Sequence, residues 1–278
     1  MIKRTLYFGN PALLNKQNNQ LVVRLPVIEK NKEFAETFKK EATAQIPIED
    51  IGIIVLDNKQ ITITQGLMES LIDNNAAIIF CNDKHLPTGL VLPMTANDTF
   101  TEKVRKQINA SEPLKKQLWK QTIINKIKNQ ATVLKYAGKD YSLLEALQKK
   151  VSSGDTENIE GRASAYYWKT IFNETKGFTR NKDGVPPNNI LNFGYALIRA
   201  IVARSLVGSG MLPLLGIHHR NKYNAYCLAD DIMEPYRPYV DKLTRDICVE
   251  NNFNLPNDLN KELKIKILSL PVTDVVIE

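Results

Sequence analysis

The sequence predicts an α+β chain, with an N-terminal β-sandwich-like domain followed by a larger all-α domain. Three observations carry this expectation. The first eighty or so residues are short apolar or alternating runs separated by Asn, Pro and charged turns. From Asp98 onward the period becomes helical, with apolar residues backed by lysines. The chain has 278 residues and 43% hydrophobic content, enough for one large core or two ordinary ones.

In chain order, KRTLYFG, QLVVRLPV and IGIIVLD read as strands, and the strictly alternating QITITQ precedes a compact helix, GLMESLIDNN. AAIIFCN returns as a strand. Glu29 to Glu41 balances lysines against glutamates, the pattern of a solvated loop or hairpin excursion. No Gly-rich phosphate loop follows any of these strands, which disfavours a nucleotide-binding sheet. Pro87, Gly89 and Pro93 interrupt both periodicities, so residues 86–97 read as a linker between a domain at 1–85 and one at 98–278; His85 at its edge is read as incidental.

In the second domain Leu114, Leu118, Ile124, Ile127, Ala131 and Leu134 mark a basic amphipathic helix. Ser142 to Glu145 has the Ser-x-x-Glu form of a capping box. After the turn SSGDTEN comes the helix IEGRASAYYWKTIFNE, with small Ala163, Ser164 and Ala165 against bulky aromatics. GFTRNKDGVPPNN reads as a polar loop, and ILNFGYALIRAIVARSLVGSGM as a long apolar helix.

Composition narrows the function classes. There is no apolar run of 18 residues and the N-terminus lacks the pattern of a signal peptide, so the expectation is a soluble cytoplasmic protein with no membrane partner. Cys81, Cys227 and Cys248 are odd in number and widely spaced, which indicates buried thiols rather than a disulfide framework or zinc knuckle. The net charge of +7 is concentrated: residues 101–139 carry ten Lys/Arg against Glu102 and Glu112. A basic segment without neutralising acids is the electrostatic footprint of phosphate-backbone binding, with a solvated helix face as the alternative.

The densest chemistry lies in Gly216 to Asp241, where His218 and His219 precede Asp230, Asp231, Glu234 and Asp241. Asp231 and Glu234 are three apart and share a face if this stretch is helical, with Asp230 turned aside. Two carboxylates on one face repel unless a cation lies between them, so a metal site is one reading and a solvated acidic face the other.

The run LGIHHRNKYNAYCLADDIMEPYRPYVD resembles the signature of the CRISPR-associated adaptation integrases, the "Cas one" family, and of their type II branch in particular. The stretch from Ile46 to Pro93 is also similar to that family's N-terminal domain. The resemblance implies a metal-binding triad. Gly216-Ile217-His218-His219 fills the family's tetrad ending in the metal-binding histidine, which selects His219; the acidic helix supplies Glu234 as its last acid; Glu160-Gly161-Arg162-Ala163-Ser164 matches the motif that supplies the glutamate. Glu160, His219 and Glu234 are therefore expected to be both catalytic and metal-binding, with Mg²⁺ or Mn²⁺ as cofactor. Asp231 is expected as a supporting residue or alternate ligand. Tyr195, in Asn192-Phe193-Gly194-Tyr195, resembles a family position packed beside the active site. Lys103, Arg105, Lys106, Lys115, Lys116, Lys120, Arg162 and Arg237 are the candidate nucleic-acid contacts, Arg237 either meeting a phosphate or bracing ion pairs of its helix.

The implied activity is metal-dependent DNA integration during spacer acquisition, in which a fragment's 3′-hydroxyl attacks a phosphodiester at the repeat border. The implied partners are DNA, as fragment duplex and CRISPR repeat, a second copy in a homodimer, a small ferredoxin-like protein completing a heterohexamer, and the effector nuclease of the system. Two rival readings are a metal-dependent nuclease on branched or single-stranded DNA and a non-enzymatic DNA-binding scaffold. The closing PVTDVVIE is shorter than the helical tail of many relatives, which implies a compact or truncated chain.

Overall fold

The computed structural model describes residues 3–26, 44–83, 86–93 and 97–270. The expectations placed on Glu29–Glu41, on His85 and on PVTDVVIE lie outside the described residues. The chain divides into two compact units between residues 96 and 97.

Among the described residues, the first unit holds two four-stranded sheets and the helix that follows the sixth strand. Its elements are β1 (Arg4–Phe8), β2 (Ala12–Gln17), β3 (Gln20–Arg24), β4 (Ala44–Pro47), β5 (Ile51–Leu56), β6 (Ile61–Ile63), α1 (Gln65–Asp73), β7 (Ala77–Cys81) and β8 (Pro87–Val91). One sheet runs β1-β5-β7-β8, parallel except for the last pair, and the other β4-β3-β2-β6, antiparallel except for β2-β6. β2 and β3 join through Asn18 and Asn19, both at positive φ, the two-residue hairpin geometry that asparagine tolerates. Leu14 and Leu21 of one sheet, Ile51, Ile54 and Ile78 of the other, and Leu67 and Leu71 of α1 form one core, as a sandwich requires. The stretch read as linker differs: Pro87–Val91 pairs with β7 as an edge strand. A proline missing its N–H is tolerated at an edge, so the breakers there mark the sheet's limit rather than the end of the domain.

The second unit is helical: α2 (Phe100–Ile108), α3 (Glu112–Tyr136), α4 (Ser142–Gln148), α5 (Ile159–Ile171), α6 (Asn188–Gly208), α7 (Cys227–Met233), α8 (Arg237–Glu250) and α9 (Lys261–Leu268). α3 is started by Ser111, whose hydroxyl accepts from Leu114 N–H, with Pro113 in the first turn. Its buried face is Trp119, Ile123, Lys126, Ile127, Gln130, Ala131 and Leu134, while Leu114 and Leu118 are exposed. The stripe is thus rotated from the expected one, and it contains a lysine. α4 also begins differently. Ser142 is its first helical residue, and Asp140 Oδ1 accepts from the Ser142 N–H and hydroxyl, so no Ser–Glu box forms. α6 has the length and composition of a membrane span, yet 67% of its apolar window is buried within the protein. A Cβ on Gly194 would stand 2.5 Å from Val240 Cγ1, so the glycine lets α6 approach α8 closely. Cys227 and Cys248 are buried and Cys81 half-buried, and none of the three is in a disulfide.

Candidate active site

Glu160 stands in the first turn of α5, where backbone geometry fixes it. Asp155 and Asn158 adopt left-handed φ, which asparagine and aspartate tolerate best among non-glycine residues. From there the Asp155 carboxylate accepts the N–H groups of Ile159 and Glu160 at 2.9 Å each, and Asn158 Oδ1 accepts from Gly161 N–H at 3.2 Å. A Cβ at position 161 would lie 2.7 Å from the Asn158 amide, so the glycine after Glu160 makes room for the cap.

His219 is positioned by Asp231. The Asp231 carboxylate is fully buried on α7 and accepts four donors: Ile217 N–H (2.7 Å) and His218 N–H (2.9 Å) on Oδ2, His219 N–H (3.2 Å) and the His219 ring Nδ1 (2.5 Å) on Oδ1. Gly216 opens this turn because any Cβ there would lie 2.3 Å from His219 O and 3.0 Å from Asp231 Oδ2. The Asp231 hydrogen bond holds the His219 ring above its ordinary pKa, against the opposing effect of burial. With Nδ1–H given to Asp231, Nε2 carries the free lone pair. The rings stack on α3: His218 lies parallel to Trp119 at 4.0 Å and His219 edge-on to it at 5.7 Å. Burial first, then the neighbouring His219, push His218 below its ordinary pKa.

Glu234 begins a 3₁₀ turn, Glu234–Tyr236, between α7 and α8, where Pro235 lacks the N–H that would continue the helix. Asn129 of α3 donates to Pro235 O at 2.7 Å, tying the turn to that helix. The Glu234 side chain, 7% exposed, takes Arg237 Nε on Oε1 at 2.8 Å. Its Oε2 lies 2.6 Å from Lys126 Nζ, and the same Nζ lies 2.5 Å from Glu160 Oε1. The two acids of the expected triad therefore converge on one cationic atom. Burial alone would raise the Glu234 pKa, but Lys126 and Arg237 outweigh it and hold the group below its ordinary value. Burial likewise disfavours charge on Lys126, and Glu234 and Glu160 outweigh it to raise that pKa.

Asp231 and Glu234 do not share one cation as their spacing suggests: the first serves the His219 turn and the second faces Lys126. Asp230 is turned aside as expected, paired with Arg199 at 2.7 Å and Asn224 at 2.7 Å. Tyr195 lies behind Arg237, whose guanidinium sits 4.6 Å from the Tyr195 ring centroid. The Tyr195 hydroxyl donates to Asp241 Oδ1 in a short contact, and Tyr167 donates to Oδ2 at 3.0 Å. Burial pushes Asp241 up to about 7 despite both hydrogen bonds.

Among the basic candidates, Arg105, Lys106, Lys116 and Arg162 are exposed, and Lys103, Lys115 and Lys120 half-buried. Lys103 donates to Ser209 O at 2.9 Å, Lys106 pairs with Glu102 at 2.5 Å, and Lys115 lies 3.6 Å from Glu112. Arg237 is engaged by Glu234 and Tyr195, the bracing geometry. Lys126 and Trp119 are the site residues that sequence reasoning missed. Both sit on the buried face of α3, seven residues apart; the spacing puts them on one face, but nothing local marks the lysine as buried.

Among the described residues, no three of His, Cys, Asp or Glu lie close enough to enclose a metal ion as placed. The donor set nevertheless fits a hard divalent cation. Two carboxylates already meet at a cation position, an imidazole nearby offers Nε2, and Asp231 supplies the outer hydrogen bond that metal-binding histidines need. Glu234 Oε2 is buried and faces the Lys126 ammonium at 2.6 Å.

Comparison with known proteins places the geometry in context. The family model for "CRISPR associated protein Cas1" matches residues 7–274. A CRISPR-associated endonuclease Cas1 from Neisseria meningitidis serogroup C is 39% identical over 243 residues, covering 87% of this chain and 74% of that protein. Two solved structures share the fold: a casposase bound to integration product (TM-score 0.75, 18% identity, 98% of this chain and 82% of that one) and a Cas6-RT-Cas1–Cas2 complex (TM-score 0.71, 20% identity, 98% and 32%).

Proposed function

The chain belongs to the CRISPR-associated Cas1 family, and from that premise we propose that it is a metal-dependent DNA integrase of spacer acquisition, joining a fragment's 3′-hydroxyl to a repeat-border phosphodiester. The observation that carries this reading is the convergence of Glu160 and Glu234 on one cation position, with the His219 ring held by Asp231 and within reach of the Glu234 charge, which helps to raise its pKa. Glu160, Glu234 and His219 Nε2 would hold Mg²⁺ or Mn²⁺. Bound there, such an ion would polarise a phosphoryl oxygen and offset charge that develops during strand transfer, worth several kcal/mol of barrier.

The rest of the work falls to the chain's own groups. Asp231 keeps Nδ1–H satisfied, so the imidazole presents Nε2 and does not rotate. Arg237 fixes Glu234 Oε1 and is in turn braced by the Tyr195 ring, which leaves Oε2 as the ligand face. Lys103, Arg105, Lys106, Lys115, Lys116, Lys120 and Arg162 hold backbone phosphates through charge. No covalent protein nucleophile is needed, because the 3′-hydroxyl is the nucleophile. The reading includes a homodimer joined through the N-terminal sandwich, assembly with a small ferredoxin-like partner and action on cytoplasmic DNA; the shared fold with a Cas1–Cas2 complex supports that partner class.

The test incubates the purified protein, with and without the small partner, with a 3′-hydroxyl duplex and a repeat-bearing plasmid in Mn²⁺, beside a His219→Ala control. Joined strands that disappear in the control support integration. Cut ends without joining indicate the nuclease reading, which the relative's name "endonuclease" favours, and salt-sensitive binding with neither product indicates a scaffold.

A further inference from the structure

Lys126 is a lysine in an apolar stripe. Its neighbours on the buried face of α3 are Trp119, Ile123, Ile127, Leu134 and the polar Gln130, and its side chain is 10% exposed. Burying an ammonium is costly unless charge compensates it, and the compensation is Glu160 Oε1 at 2.5 Å and Glu234 Oε2 at 2.6 Å. With Arg237 on the other Glu234 oxygen, the four-residue cluster is neutral. Lys126 therefore occupies the position toward which both carboxylates are aimed. An added divalent ion would stand within about 3 Å of the ammonium, where like charges in a low-dielectric site repel strongly. Both cannot share the same carboxylate oxygens.

We propose that Lys126 is a resident counter-cation that a divalent metal ion replaces, so that metal loading is an exchange and releases the Lys126 side chain from between Glu160 and Glu234. Before loading, the ammonium keeps the two buried acids from repelling one another and holds α3, α5 and the Glu234 turn in register. The inference rests on the metal reading above.

Two measurements on the full chain test it. Mn²⁺ affinity, followed by loss of the free-ion electron paramagnetic resonance signal, should rise at least about tenfold in Lys126→Met, because the ion no longer displaces a competitor. In chelator the same variant should melt lower than wild type and gain more from added Mn²⁺. On wild type, acetylation footprinting read by mass spectrometry should show Lys126 protected in chelator and several times more reactive with Mn²⁺, while Lys128, exposed on the same helix, does not change. If Lys126→Met does not fold, the footprint alone decides. Mn²⁺ binding with Lys126 still protected, or unchanged or weaker affinity in the variant, overturns the exchange and leaves the metal site standing. No Mn²⁺ binding by wild type sinks both.

Discussion

Replacing Asp231 with Asn keeps the shape of the side chain and removes its charge at the point where four donors meet: the N–H groups of Ile217, His218 and His219 and the His219 ring. An amide presents one acceptor oxygen where the carboxylate presented two. If that oxygen serves Ile217 and His218, the –NH₂ group faces two further donors. Hydrogen bonds to charged acceptors contribute about 1.5–3 kcal/mol each, so the loss should be about 4 kcal/mol. In a unit of this size that lowers the melting temperature by roughly 10 °C. The pH signature is separate. The folded-state pKa of His219 is raised, so its stabilisation is fully present below the unfolded value near 6.5 and is lost as pH rises through the folded one. Urea denaturation between pH 5 and 8, with NMR titration of the chain's three histidines, reads both. Asp231→Asn should flatten this contribution to the pH slope and move the His219 titration down. A loss under about 1 kcal/mol with an unchanged His219 titration would refute the argument that Asp231 organises the turn.

Three further outcomes follow from the same geometry. Gly216→Ala places a methyl 2.3 Å from His219 O, and should cost about 3 kcal/mol in urea denaturation while abolishing strand joining. Asp241, pushed up to about 7 by burial, keeps its proton in the folded protein at pH values where the unfolded chain has released it. Its contribution to stability therefore falls as pH rises from about 4 to 7, and Asp241→Asn should remove that fall, measured as urea midpoints at pH 5 and 8. Arg237→Ala removes one partner of a buried pair and should cost about 3 kcal/mol. Because Arg237 braces Glu234, the slope of log Kd for DNA against log salt should not change; a slope shallower by about 1 would reassign it to a phosphate contact.

What was legible in the sequence, and what was not, divides along physical lines. The switch from alternating to helical period separates the sandwich from the helical unit because burial on one face imposes the period directly. Breakers are less informative: Pro87 and Gly89 end regular pairing on one side only, and so mark an edge strand as readily as a linker. The α3 stripe was displaced because Leu114 and Leu118 look apolar yet lie where the helix faces solvent, while Trp119 and Ile123 take the core. Lys126 does not stand out among the ten Lys/Arg of residues 101–139, since a side chain of its type is buried only when partners far along the chain, here Glu160 and Glu234, supply the charge. No local pattern carries that information. The resemblance supplied the three expected ligands, but the division of labour between Asp231 and Glu234 needed the turn at Pro235, which points two acids three residues apart at different partners.

Under the proposed function, Glu160, Glu234 and His219 hold one divalent ion at the place Lys126 Nζ now fills. Anomalous scattering from crystals grown with Mn²⁺ tests it most directly. One peak bounded by the Glu160 and Glu234 carboxylates and His219 Nε2, with the Lys126 side chain withdrawn, is the predicted result. Bound Mn²⁺ located elsewhere, with Lys126 still between the two glutamates, would contradict the claim.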